Sequence, residues 1–253
     1  MGPISDLSSV PRNRMPTVKD FGRSGLAAPN RIAIIAALPG ELKPFVRGWQ
    51  FEARNGIHLW RHRNDQQEWV AVCAGAGQAA ATHAFAEAEK SGPIDAVFSV
   101  GWAGALSEEF LVGHASLLSD VVDAQTGERF TTASTPGGPL LVTSPRVADE
   151  PEKRRLAATY CAGLVDMEAA AVARLAQMRG IPFYCIKGIS DGCSDHLPDF
   201  NRFILPDGHF RLGAFVVFAV LRPWYWRALM RMGENSKKAA QAIAELLHKI
   251  TCQ

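Results

Sequence analysis

The stretch Gly163–Asp191, GLVDMEAAAVARLAQMRGIPFYCIKGISD, decides the interpretation of this chain. Its first part predicts a helix over Asp166–Arg179, which a glycine and a proline bring to an end. The apolar run Phe183–Ile189 then predicts a buried strand that ends in Ser190 and Asp191. Open α/β sheets place their chemistry at the carboxyl ends of strands, so Asp191 is a candidate functional residue.

The rest of the sequence repeats this alternation of strand and helix. Strands are predicted at Arg31–Leu38, Ile57–Arg63, Glu68–Ala74, Asp95–Val100, Ala115–Val122 and Leu140–Thr143, and helices at Glu41–Trp49, Gln78–Lys90 and Lys237–Ile250. Such alternation is typical of an α/β three-layer sandwich. The sequence contains no internal repeat and no clear domain break, which favours a single domain over residues 31–253.

Composition limits the class of protein. The 253 residues are 47% hydrophobic and 21% charged, as in an ordinary globular domain, and the net charge of +2 does not favour nucleic-acid binding. The five cysteines form no CxxC pair, so we expect no metal site. We expect the cysteines to be free thiols and the protein to be cytoplasmic. Residues 1–30 lack an apolar core of the kind that secretory signals have, and we expect a disordered tail.

Three carboxylates could cleave a glycosidic bond, which requires an acid for the leaving base, a group that positions the sugar, and an activated nucleophile. Asp191 is the candidate acid, although a turn cap explains it equally well. Glu168 could accept hydrogen bonds from two ribose hydroxyls, and Glu41 could activate water. Both glutamates also suit the first turn of a helix, where acidic residues are favoured in any case.

Two glycine turns follow predicted strands, at Gly75–Gly77 and Gly101–Gly104. Without a Cβ atom, their backbone amides can approach a ligand closely. The spacing Gly75-x-Gly77-x-x-Ala80 also imitates a dinucleotide-binding fingerprint, a weak signal that leaves this alternative open. Lys187, inside an apolar strand, could pair with an acidic site residue or a substrate, or it could lie at a strand edge with its amine in solvent.

Taken together, these segments resemble the nucleoside phosphorylase and methylthioadenosine/adenosylhomocysteine nucleosidase superfamily. The segments that carry the resemblance are IAIIAALPGE (32–41), Gly75–Ala80, VGWAGAL (100–106), VDMEA (165–169) and Ile189–Asp191. It implies a single domain with a twisted mixed sheet, in which Asp191 protonates the purine and Glu41 activates water. It also implies substrate-binding roles for Glu168, Met167, Ala103, Gly104, Ser190, Gly77, Trp102 and Lys187.

The chain departs from the family pattern at three positions. Trp102 stands where the superfamily often has Ser or Thr and would crowd the nucleophile pocket. Ser99 stands near the position of the phosphate-binding arginine of hexameric phosphorylases, which disfavours phosphate as the nucleophile. The nucleosidase arginine that precedes Ser-Asp appears here as Lys187.

Segment 212–232 combines an apolar run with RPWYWRALMRM, the residue types of a membrane interface, although a core helix followed by a packing loop explains it too. With Leu197–Phe200 and Asn235-Ser236, this pattern resembles the phosphorylase-like proteins of hopanoid biosynthesis. That resemblance implies adenine release from adenosylhopane, a lipid-linked nucleoside, with peripheral contact at the inner membrane surface. The wider family implies a homo-oligomer and no cofactor other than phosphate as a possible co-substrate.

The alternatives that remain are a phosphate-dependent purine nucleoside phosphorylase and a non-catalytic or dinucleotide-binding α/β protein. A phosphorylase would yield a sugar 1-phosphate. A dinucleotide-binding protein would bind NAD tightly and would not need Glu168.

Overall fold

The computed structural model describes residues 30–64, 67–134, 136–195, 199–205 and 225–251, together with 208, 211, 214, 215, 218 and 220–222. The predicted tail, apart from Asn30, and part of segment 212–232 lie outside these residues. The strands are β1 (Arg31–Ala36), β2 (Gln50–Arg54), β3 (Ile57–Arg63), β4 (Glu68–Cys73), β5 (Ala96–Ala105), β6 (Ala115–Leu117), β7 (Asp120–Asp123), β8 (Arg129–Thr131), β9 (Leu140–Thr143), β10 (Leu164–Asp166) and β11 (Phe183–Asp191). The helices are α1 (Pro39–Leu42), α2 (Gln78–Glu89), α3 (Glu150–Tyr160), α4 (Ala169–Arg179) and α5 (Trp226–Thr251), with a 3₁₀ turn at Phe200–Phe203.

The described strands form one mixed sheet. Its order is β2-β3-β4-β1-β5-β10-β9-β7-β8, and β11 pairs with β5 on one side and with β6 on the other. β5 runs parallel to β1 and β11 but antiparallel to β10. The centre of the sheet is formed by neighbouring strands, namely β4, β1, β5, β10 and β11. The segments that follow these strands therefore lie close together.

Helices cover both faces of the sheet, which confirms the predicted α/β three-layer sandwich. Alternate residues of β1 pack on opposite faces because side chains in a strand point to the two sides in turn. Ala33 and Ile35 belong to the apolar core that includes Phe85 of α2 and the alanines of α4. Ile34 belongs to the second core, with Leu247 and other residues of α5.

Several element boundaries differ from the sequence-based expectation. The first helix is only Pro39–Leu42, and β5 continues through the predicted glycine turn to Ala105. The predicted strand Ala115–Val122 divides into β6 and β7. Helix α4 begins at Ala169, because Asp166 ends a strand, and α5 begins at Trp226. β5 does not stop at the glycines because β11 and β10 supply ladder partners there, at Lys187 and Val165 among others. Strands β2, β8 and β10 and helix α3 were not predicted.

Candidate active site

A cavity of about 340 Å³ opens at the carboxyl ends of the central strands, within the size range of small-molecule sites. Eight of the predicted site residues line it: Glu41, Trp102, Ala103, Gly104, Met167, Glu168, Ser190 and Asp191. The other two, Gly77 and Lys187, do not line its wall and contact the lining residues from behind. The fold therefore brings most of the predicted residues to one place.

Glu41 lies just beyond β1 and is held by backbone amides. The amides of Ala37 and Leu38 donate to its Oε2 at 2.9 Å, and the amide of Trp102 donates to its Oε1 at 3.0 Å. A Cβ atom at Gly101 would lie 2.9 Å from Oε1, so this glycine permits the close approach of β5 to the carboxyl group. Burial raises the pKa of Glu41, although these amides and the charge of Lys187 act in the opposite direction.

Glu168 lies between β10 and α4. Its Oε1 accepts a hydrogen bond from the amide of Gly77 at 2.6 Å, and its Oε2 accepts one from the amide of Met167 at 3.2 Å. Burial, together with the negative charge of Asp166, raises the pKa of Glu168 to about 7, although Lys187 acts in the opposite direction. Its carboxyl group can therefore change protonation state near neutral pH.

Lys187 forms a buried ion pair with Asp166. Its Nζ lies 2.8 Å from Asp166 Oδ2, and it also donates to Ser99 Oγ at 3.3 Å. Burial acts to lower the pKa of Lys187, but Asp166, Cys185 and Glu168 act together in the opposite direction, so the pKa is raised. The structure thus supports the first of the two interpretations of Lys187, pairing with an acidic residue. The lysine is not at a strand edge, because β11 lies between β5 and β6.

Asp191, at the end of β11, has both carboxylate oxygens engaged. Ser190 Oγ donates to Oδ1 at 2.6 Å, and the ammonium group of Lys153 forms an ion pair with Oδ2. Lys153 was not predicted as a site residue, because it lies in α3 within the run EKRR, a sequence typical of a solvent-exposed helix face. Only the cap signals of α3, Asp149 followed by Glu152, pointed to this helix.

The Gly75–Gly77 turn has its amides occupied. The amide of Gly75 donates to Ala37 O at 3.1 Å, that of Ala76 to Gly208 O at 2.9 Å, and that of Gly77 to Glu168. A dinucleotide fingerprint needs such amides to face a pyrophosphate. This arrangement therefore argues against the dinucleotide interpretation.

The cavity also has apolar walls that the sequence did not reveal. Trp102 donates from Nε1 to Ser236 O at 3.0 Å and so ties the site to α5. The apolar lining residues that had not been predicted as site residues are Ala37, Leu38, Ala76, Val147, Ala148, Val165, Phe200, Ile204, Phe215 and Met232. Several of them lie beyond Asp191, so the C-terminal part of the chain encloses the site. In the described part of the chain, no His, Cys, Asp and Glu side chains group as metal ligands, and a cofactor-free site stays a prediction.

The sequence matches the phosphorylase superfamily over residues 31–140 and 131–207, whereas no curated protein matches it significantly. Futalosine hydrolase of Helicobacter pylori has a similar structure, with a TM-score of 0.66 at 15% identity over 87% of this chain and 97% of that one. The 5′-methylthioadenosine/S-adenosylhomocysteine nucleosidase of the same organism gives 0.66 at 16% identity, over 87% and 97%. The 5′-methylthioadenosine nucleosidase of Arabidopsis thaliana gives 0.66 at 18%, over 88% and 94%. These structures share the fold, and the family match extends over most of the chain, which therefore belongs to the phosphorylase superfamily.

Proposed function

We propose that this protein hydrolyses the N-glycosidic bond of an adenine nucleoside that carries an apolar 5′ substituent. One observation carries the proposal: a single cavity brings the carboxylates of Glu41, Glu168 and Asp191 together with apolar walls. Each carboxylate has a different set of partners, so the three can serve different parts of one reaction.

Asp191 serves the leaving base. As the bond from C1′ to the purine nitrogen breaks, its electron pair moves to the base, and Asp191 delivers a proton to a ring nitrogen. Ser190 holds the carboxyl group from one side. Glu168 serves the sugar: when ionised, it accepts hydrogen bonds from two ribose hydroxyls, and Met167 lies against the same part of the cavity.

Glu41 serves the nucleophile. Its carboxylate accepts the proton of a water molecule that attacks C1′ on the face opposite the base. A phosphate ion is the less favoured nucleophile, because at the position of the nucleophile it would meet the carboxyl group of Glu41, whereas the cationic lining residues Arg146 and Lys153 belong to other parts of the chain and Lys153 is already paired with Asp191. Ser99, near the position where hexameric phosphorylases carry their arginine, is buried and bonded to Lys187.

The apolar walls serve the 5′ substituent. Phe200 and Phe215 lie with their ring centroids 5.7 Å apart, and Met232 of α5 joins them along the cavity. Adenosylhopane is the substrate that the resemblance to the proteins of hopanoid biosynthesis implies. A cavity of about 340 Å³ is at the lower end of the range for small-molecule sites, so such a large hydrocarbon would extend beyond it.

The outer part of the hydrocarbon would meet a membrane surface. Val220, Leu221, Trp226 and Met230 are exposed apolar side chains close in sequence to the cavity residue Met232, and Arg227 and Arg231 lie among them. None of the described helices has both the length and the apolar character needed to cross a membrane. We propose that this part of the protein makes peripheral contact with a membrane. The homo-oligomer that the family implies stays a prediction.

Adenine release by the purified protein tests the proposal. The substrates are adenosine, 5′-methylthioadenosine and adenosylhopane, each with and without phosphate, and the sugar product is identified by mass spectrometry. We expect release without phosphate, a hydrolysed sugar, and the highest kcat/KM for adenosylhopane. A sugar 1-phosphate formed only with phosphate would establish phosphorolysis instead. Tight NAD binding without any adenine release would show that the protein is a dinucleotide-binding protein.

A further inference from the structure

Lys153 is an unusual residue for its helix. The next residue on α3, Arg154, pairs with Glu150 at the surface, and its side chain is 72% exposed. The Lys153 side chain is only 2% exposed. Lysine is almost never fully buried unless it is paired, so the position of Lys153 indicates a specific partner.

That partner is the candidate acid. Lys153 Nζ forms the ion pair with Asp191 Oδ2 and donates a second hydrogen bond to Gly192 O at 2.6 Å. Gly104 makes room for the pair, because a Cβ atom there would lie 2.9 Å from Asp191 Oδ2 and 3.1 Å from Lys153 Cε. Three separate elements, α3, β5 and β11, thus converge on one ion pair at the cavity wall.

We propose that Lys153 supplies, through Asp191, the proton that the leaving base takes up. This inference rests on the proposed nucleosidase function. Lys153 reaches the base only through Asp191, so it is a positioning and proton-supplying residue rather than a catalytic one.

In the proposed reaction one proton moves to the leaving base and one leaves the attacking water. The electron pair of the C1′–N bond goes to the base, the ring nitrogen takes a proton from Asp191, and the Lys153 ammonium group gives one to Asp191 in turn. Lys153 is left as a neutral amine. Glu41 meanwhile takes a proton from the attacking water, and exchange with solvent restores both Glu41 and Lys153 after the products leave.

Two substitutions separate proton supply from structural support. Lys153→Gln keeps a hydrogen-bond donor toward Asp191 but has no proton to give up, whereas Lys153→Met removes the donor as well. Arg154→Gln, on the exposed side of the same helix, is the matched control. Turnover is measured with nucleosides of adenine and of 2-fluoroadenine, a base that leaves more readily because fluorine withdraws electrons.

We expect Lys153→Gln to lower kcat about 100-fold for the adenine nucleoside and less than about tenfold for the 2-fluoroadenine nucleoside. Lys153→Met should show the same difference between the two bases, and Arg154→Gln should behave as the wild type. Equal losses for both bases, or a wild-type rate in Lys153→Gln, would overturn the role of Lys153. Absence of adenine release by the wild-type protein would instead refute the nucleosidase function itself.

Discussion

The described part of the chain contains two buried lysine–aspartate pairs, Lys187–Asp166 and Lys153–Asp191, and the two carboxylates differ in whether they can still contact a ligand. Asp166 is fully engaged with the framework: Thr143 Oγ1, the amide of Ala169 and Lys187 all donate to it, and its side chain has no exposed surface. Among the described residues, only Ser190 and Lys153 donate to the Asp191 side chain, and 11% of that side chain remains exposed. The first pair fixes the start of α4, whereas the second leaves a carboxyl group able to meet a substrate.

The largest expected effect comes from exchanging each aspartate for asparagine. Asp191→Asn should lower kcat for adenine release at least about 10³-fold, because the base loses its acid, and it should also lower the melting temperature, because the buried Lys153 loses its charged partner. Asp166→Asn should lower the melting temperature by about 10 °C, because Lys187 is left as a buried unpaired charge. Calorimetry and turnover on the same preparations check both. A stable, fully active Asp191→Asn protein would remove the distinction between the pairs.

Glu168 lies beside the Asp166–Lys187 pair, and burial together with the charge of Asp166 raises the pKa of Glu168 to about 7, against the effect of Lys187. Ribose binding requires the ionised carboxylate, so the Kd of a non-hydrolysable adenine C-nucleoside should rise about tenfold for each pH unit below 7. Isothermal titration calorimetry between pH 5.5 and 8.5 measures this Kd. Glu168→Gln should bind weakly at every pH, and Asp191→Asn should keep the pH dependence. A wild-type Kd that does not change with pH would contradict the assignment of Glu168 to the sugar.

A smaller effect is expected at the apolar wall of the cavity. Met232→Ala should raise KM about tenfold for a 5′-octylthio nucleoside and leave adenosine unchanged, because only the long substituent contacts the wall. Met230→Ala is the matched control, since Met230 lies two residues earlier on α5 and is 62% exposed. Equal effects of Met232→Ala on both substrates would place the substituent elsewhere.

Part of the candidate site could be predicted from the sequence alone. Asp191 and Glu41 could be predicted because each follows an apolar strand, Phe183–Ile189 and the strand in Ile32–Glu41. Buried parallel strands are continuous apolar runs, and their carboxyl ends lie at one edge of the sheet. The ion pair of Lys187 was one of two alternatives, since a lysine inside an apolar strand requires either a partner or an edge. Only the sheet order, with β11 between β5 and β6, decides between them.

Lys153 and the apolar wall could not be predicted for a physical reason. Local patterns report which residues share a face of their own element, whereas the burial of Lys153 depends on Asp191, 38 residues further along the chain. In the same way, Phe200 and Met232 become cavity residues only because the C-terminal part folds back over the strand ends. The edge strand β2 was missed because all five of its residues are exposed and it shows no apolar alternation.

The most direct test of the account is the kcat/KM for adenine release from a series of 5′-alkylthio-5′-deoxyadenosines, from methyl to octyl, without phosphate. If the carboxylates cleave the glycosidic bond and the apolar wall receives the substituent, kcat/KM should rise about fourfold for each added methylene until the wall is covered. Asp191→Asn should remain inactive throughout the series. A value that stays constant or falls with chain length would contradict the apolar 5′ substituent, and no release from any member would contradict the nucleosidase itself.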